Sequence, residues 1–283
     1  MTSVDMIEES ELYDRQIRLW GSEAQRRLQS SKVLLCGIAG LGSEIAKNLA
    51  LAGISVTVVD DAIVVAEDLS ANFFVRENDV GSNRAEASLP RIRELNKYVA
   101  VESSTMSMDA LSDDLISLHN LVIVTKGTTA QRVHLNKFCR RRSIAFYSAD
   151  TFGFMGLLFA DLGTHTYRTE SGTGVNLKLS DPIVATFPSL EETLVVPWKL
   201  LGSKRFGPVS PIYVNSRILS EFRDSHAGRA ATIVDADDLL EVAQRLLAAE
   251  AVTMNFDMAE AKKLAASSQV SVIKPPYPRY MYL

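Results

Sequence analysis

Apolar residues in this chain fall into short unbroken runs alternating with helically spaced ones. Residues 32–37, KVLLCG, are apolar on both faces, as a strand buried inside a parallel sheet requires. The turn GIAGLG follows, with Gly37, Gly40 and Gly42; glycine there permits positive φ and close backbone approach. Over residues 43–51, Ile45, Ala46, Leu49 and Ala50 recur at helical spacing, and Gly53 is placed to end the helix. Residues 54–59 are a second β-branched strand, closed by Asp60. Strand, glycine turn, helix and strand make a nucleotide-binding architecture, in which an acid after the second strand meets a ribose hydroxyl. The middle glycine of that fingerprint is Ala39 here, so the stretch alone is a weak sign of NAD binding.

Upstream, residues 11–19 and 23–29 are expected to be helical, with a break at Gly21. They carry Arg15, Arg18, Arg26 and Arg27. Such a cluster is as readily a solvated face as a phosphate contact, for which the planar, permanently charged arginine fork is suited. Beyond Asp60, residues 61–81 have no clear period. Helices are expected over 83–96, with Pro90 a fault, 110–118 and 128–142, and strands over 98–102, 121–125 and 143–149. The triplet Arg140, Arg141, Arg142 is expected to face the negative end of its own helix. Residues 153–161 and 166–169 read as strands with no helix between them, hence an antiparallel edge.

From ESGTG, residues 170–174, the pattern changes to helices over 193–201, 215–223, 236–251 and 258–267, joined by Pro-, Gly- and Ser-rich segments. The fold expected is α/β: a Rossmann-like, mostly parallel sheet with a smaller helical insertion. Its parts are a Rossmann-like domain over 1–170, a helical half-domain over 171–257, and a divergent or truncated tail over 258–283 that ends IKPPYPRYMYL.

Composition narrows the function classes. With 47% hydrophobic and 23% charged residues among 283, the chain is an ordinary globular protein. A net charge of −4 argues against a binder held by nucleic-acid phosphates. Cys36 and Cys139 give neither a disulfide framework nor a metal spacing, and His119, His134, His165 and His226 do not cluster. No G-x-x-x-x-G-K-[ST], H-E-x-x-H, C-x-x-C or G-x-S-x-G occurs. No secretory pattern or membrane-length apolar run is found, so an intracellular, cytosolic or nuclear protein is expected.

Four segments together carry a family likeness: YDRQIRLWG (13–21), GIAGLGSEIAKNLALAG (37–53), VVDD (58–61) and VGSNRAEAS (80–88). They resemble the adenylation domain of the ubiquitin-like-protein activating enzymes, and most of all the smaller, non-cysteine subunits of the SUMO-activating type. The likeness spans about residues 13–170 and continues more weakly through FPSLEETL (187–194) to about residue 251. It implies a pseudo-symmetric, obligate heterodimer in the nucleus and also the cytoplasm. The catalytic large subunit binds MgATP, adenylates the SUMO C-terminus and takes the modifier on its cysteine. SUMO is met through the complex, and neither nucleic acid nor membrane is a partner.

The same resemblance implies that this chain is the silent half. Ala39 replaces a glycine of G-x-G-G-[IL]-G; Asp60 and Ala62 stand for D-x-D; Ser70, Ala71 and Asn72 stand for N-R-Q. Arg84 replaces the lysine of G-x-x-K, and the D-N aspartate aligns near Gly127, beside Lys126. Gly37, Gly40, Gly42, Asp60 and Arg84 are then a degenerate nucleotide-site remnant, with no metal and no cofactor in this chain and MgATP in the partner. Arg15 matches the family's arginine that crosses the interface to the partner's ATP, with Arg18 the second candidate. A closing run like A-P-V-x-A-V-V-G-G, usual in the family, is not found. Three alternatives stand beside this. One is the corresponding subunit of the NEDD8-activating enzyme, which is longer. Another is a stand-alone homodimeric adenylating enzyme of the bacterial cofactor-sulfur type, which needs the missing acids. The third is an NAD-dependent oxidoreductase.

Overall fold

The computed structural model describes residues 11–172, 178–202 and 209–268. The polar N-terminal residues 1–9 and the tail IKPPYPRYMYL lie outside them, as do residues 173–174 of the ESGTG boundary. Strands β1 (Lys32–Cys36) and β2 (Ser55–Val59) pair in parallel, Val33 opposite Val56 and Leu35 opposite Val58. Helix α1 (Asp14–Ser30) precedes them, and α2 (Gly40–Leu51) crosses over between them. The sheet then grows in both directions. Strand β3 (Val101–Ser104) joins β2, while β4 (Leu121–Val124) joins β1 and β5 (Ala145–Phe152) joins β4, all in parallel. Strand β6 (Met155–Asp161) closes the order β3-β2-β1-β4-β5-β6 as the expected antiparallel edge. The order reverses between β1 and β4, and open α/β sheets carry their crevice outside the strand carboxyl ends at such a point.

Alternate residues of β1 feed two layers, which is why the whole run is apolar. Val33 and Leu35 pack with Ala46, Val58 and Ile92 on one face; Leu34 and Cys36 pack with Val124, Phe138 and Cys139 on the other. Helix α3 (Arg84–Leu95) begins where the Asn83 side chain accepts the N–H groups of Ala85 and Glu86. Pro90 lies inside it without ending it: the cap and the burial of Ala85, Ser88 and Ile92 outweigh the roughly 3 kcal/mol an internal proline costs. The expected strand start at residue 98 moves to Val101, because Asn96 Oδ1 accepts the Tyr98 N–H and holds a turn there. Likewise α4 (Asp113–Ser117) starts only where Ser112 caps it.

Helix α5 (Thr129–Arg141) opens on a Thr128–Gln131 capping box. Its terminal arginines do more than complement the dipole. Arg140 is bonded to Asp161 of β6 at 2.8 Å and to the Phe187 carbonyl, whereas Arg141 and Arg142 lie over the Phe138 ring. Strand β7 (Thr164–Tyr167) pairs antiparallel with β8 (Ile183–Thr186), a strand the sequence reading lacked. The helix expected over 193–201 is instead α6 (Leu190–Leu194), set by a Ser189–Glu192 capping box and stopped ahead of Pro197.

Helices α7 (Pro211–Ser225), α8 (Ala236–Ala249) and α9 (Met258–Ser268) enclose a third core around Trp198, Ile218, Phe222, Leu239 and Leu264. This unit is fastened to the sheet through Asp150 of β5. Its carboxylate accepts from Arg132 of α5 at 2.7 Å and from both terminal nitrogens of Arg223 of α7 at 2.7 and 2.9 Å. The Gly153 N–H also donates to the Ser267 carbonyl at 2.9 Å.

Candidate functional site

The crevice at the end of β1 is built around the glycine turn. Gly37 has φ +98°, and a Cβ there would lie 2.6 Å from Thr125 Oγ1; at Gly42 it would lie 2.0 Å from the Gly37 carbonyl oxygen. These two glycines are required by the packing of the turn on itself and on the end of β4. Gly40 is covered too, its would-be Cβ 3.2 Å from Ala71 Cβ. The segment Ser70, Ala71, Asn72 therefore lies on the turn, and Asn72 Nδ2 donates to the Ile38 carbonyl at 2.6 Å.

Asp60 is wholly buried at the centre of a charge cluster. Its Oδ2 accepts from the Ile38 N–H at 2.8 Å and from Arg84 Nε at 3.0 Å. Oδ1 accepts from the Ala62 N–H at 3.1 Å and from Lys126 Nζ at 3.0 Å. Arg84 reaches onward to Asp68 at 3.1 Å, and Lys126 also meets Asp61. Burial alone pushes the Asp60 carboxyl upward; the adjoining Arg84 and Lys126 charges and the two backbone N–H bonds outweigh it and hold the group below the usual carboxylate range. Beside the cluster opens a cleft of about 780 Å³ whose lining includes Asp61, Arg84, Lys126, Thr128 and Arg229.

These residues do not fit MgATP. Ala62 offers a methyl and no carboxylate for a metal ion, the acceptor positions of Asp60 are already taken, and the glycine turn is covered by residues 71–72. Among the described residues no group of three or more His, Cys, Asp or Glu is gathered to hold a metal ion. Gly37, Gly40, Gly42, Asp60 and Arg84 thus come together as the sequence places them, but packed and paired among themselves.

Arg15 and Arg18 lie elsewhere. Helix α1 bends at Gly21 (φ 86°, ψ 159°), as expected, and Tyr13 just ahead of it is buried. Gln16 Nε2 donates to the Leu51 carbonyl and Gln25 Nε2 to the Ala52 carbonyl, each at 3.1 Å. Asn96 Nδ2 donates both to the Tyr13 hydroxyl at 2.6 Å and to the Ala50 carbonyl at 2.8 Å. Directly through Gln16 and Gln25, and by way of Asn96, these bonds tie the N-terminal segment to the carboxyl end of α2. The crevice lies at the amino end of α2, and a twelve-residue helix is about 18 Å long. Arg18 is paired with Asp14 at 3.0 Å, and Arg26 and Arg27 both pair with Glu23. Arg15 is exposed and has no ion-pair or hydrogen-bond partner among the described residues.

Neither cysteine is disposed for chemistry: Cys36 and Cys139 are buried, and that burial pushes both thiols up to about 12. His119 is also buried, between the Leu115 carbonyl and Thr57 Oγ1, each at 2.9 Å. Sequence reasoning missed the part played by Lys126, which it noted only as the neighbour of Gly127. It missed the Arg132–Asp150–Arg223 cluster entirely.

Residues 13–174 match the model of the ThiF family. The chain is 41% identical over 199 residues to SUMO-activating enzyme subunit 1 of Xenopus laevis, covering 70% of this chain and 57% of that protein. It is 44% identical over 164 residues to the Homo sapiens protein of the same name, 58% of this chain and 47% of the other. Against that of Dictyostelium discoideum it is 34% identical over 233 residues, 81% of this chain and 68% of the other. The matched stretch thus spans about half the length of the vertebrate relatives.

Proposed function

The chain belongs to the ThiF family and, within it, to the proteins of the SUMO-activating enzyme subunit 1 kind, and from that premise we propose that it is the non-catalytic half of a heterodimer that adenylates the C-terminus of SUMO. The MgATP of that reaction is held by the catalytic large subunit, which also carries the thioester cysteine. This chain supplies the dimer interface and Arg15, which enters the partner's ATP site. The complex works in the nucleus and also the cytoplasm.

One observation carries the reading in trans. Arg15 is an exposed guanidinium, unpaired among the described residues, on a helix tied to the carboxyl end of α2, about 18 Å of helix from its own crevice. A cation so placed cannot serve the site of its own chain. An arginine delivered across an interface to a nucleotide's phosphates stabilises charge that develops during transfer, at no cost in reorganisation. Arg18 is the poorer candidate because Asp14 already neutralises it. The saturation of Asp60 and the missing acid at Ala62 support the silence of this half.

The test is ATP–pyrophosphate exchange with SUMO present, for the chain alone, the large subunit alone and the mixture. Exchange that appears only in the mixture is expected. Exchange by the chain alone would overturn the assignment and make it a stand-alone adenylating enzyme.

A further inference from the structure

The mismatch between the crevice and a nucleotide has a specific author in Lys126. An ionised carboxylate offers about four acceptor positions on its two oxygens. At Asp60 they are taken by two backbone N–H groups, Ile38 and Ala62, and by two cations, Arg84 and Lys126. Ile38 belongs to the glycine turn, Ala62 lies two residues beyond Asp60 itself, and Arg84 is clamped a second time by Asp68. Lys126 and Arg84 both line the 780 Å³ cleft, and Lys126 also stands against the glycine turn, its Cγ 3.0 Å from where a Cβ on Gly37 would be. It thus lies over the first glycine of the turn and takes an acceptor position on Oδ1 of the acid that, in dinucleotide-binding folds, meets a ribose hydroxyl.

We propose that this crevice is a nucleoside site sealed from within, with the Lys126 ammonium standing where a ribose hydroxyl would bond Asp60 Oδ1. The inference rests on the reading of the crevice as a degenerate nucleotide site and names the residue that closes it. Asp61 holds the lysine from its far side, so the seal has two anchors. Removing the lysine would free Asp60 Oδ1 beside a cleft already within the size range of small-molecule sites, with Asp60 still neutralised by Arg84.

Equilibrium dialysis of the full chain alone against labelled adenosine, and separately ATP without magnesium, tests this. Wild type and Lys126→Arg, which keeps the charge and the reach, are expected to show no saturable binding. Lys126→Ala is expected to bind adenosine saturably, at least about tenfold more tightly than the weakest binding that the wild-type titration would have detected. Lys126→Gln, which lacks the charge but keeps the stem, serves if the alanine variant does not melt cooperatively. Wild type binding as well as the folded variant would overturn the seal, and so would a folded variant that binds no better. Because no partner enters the assay, its failure is separate from failure of the exchange experiment, which tests the heterodimer.

Discussion

The side-chain amide of Asn96 donates to the Tyr13 hydroxyl at 2.6 Å across 83 positions of sequence. The same amide nitrogen donates to the Ala50 carbonyl, so one residue at the end of α3 joins the N-terminal segment to the carboxyl end of α2. Gly53 completes the socket: with φ +88° it passes beneath the tyrosine, and a Cβ there would lie 2.9 Å from the hydroxyl oxygen. Tyr13→Phe leaves Asn96 one partner short and is expected to cost about 1 kcal/mol. Gly53→Ala combines a left-handed backbone with a collision and should cost more. Urea denaturation of the two variants ranks them; equal costs would mean that the tyrosine is not the peg of α1.

Arg15→Ala should slow adenylate formation by the heterodimer about tenfold or more while leaving assembly intact, by the logic of an arginine supplied in trans. Arg18→Ala, which loses only an exposed i,i+4 pair, should change the rate little. Pyrophosphate exchange alongside gel filtration of the complex separates the two. A normal rate with Arg15→Ala would remove it from the partner's site.

Asp150 governs the joint between the sheet and the helical unit. Burial pushes its carboxyl upward, but the hydrogen bonds and charges of Arg223 and Arg132 outweigh that and hold it low. A depressed folded value means stability that is full above the unfolded value, about 4, and lost as pH falls through the folded one. Asp60 acts in the same direction. Asp150→Asn strands two guanidinium groups and should cost about 3–5 kcal/mol at neutral pH. It should also shallow, without abolishing, the acid limb of a melting-temperature profile between about pH 5 and 2. An unchanged limb would mean that the cluster contributes nothing to acid stability.

Native chain should resist thiol reagents. With both thiols buried and pushed to about 12, modification by 5,5′-dithiobis(2-nitrobenzoate) should be negligible at pH 8 and complete for two thiols in guanidinium. Rapid reaction of the folded protein would show an open path to Cys36 or Cys139. It would also reopen the question of a thioester on this chain.

The sheet was legible because its information is local. Lys32–Cys36 and Leu121–Val124 are short apolar runs bounded by turns, and the break at Gly21 was marked by the glycine itself. Ile183–Thr186 was not legible: it is largely exposed and its partner Thr164–Tyr167 is polar, so neither strand carries a buried alternation. The glycine turn and Asp60 were found by their spacing, and Arg84 by likeness to a family motif. Lys126 was beyond reach for a different reason. It meets Asp60 across 66 positions, and nothing near either residue announces a salt bridge. The Arg132–Asp150–Arg223 cluster was hidden in the same way, its members lying on three separate elements.

The charge cluster around Asp60 also bears on how this half answers the energy state of a cell. A native protein that binds a ligand gains stability by mass action, as RT ln(1 + [L]/Kd), so an ATP-loaded half grows firmer as ATP rises. Here the counter-ions that such a ligand would complement are covalently part of the chain, delivered at a local concentration that never varies. On the reading proposed above, the fold of this chain is therefore expected to be indifferent to nucleotide supply, its melting temperature unmoved by added ATP.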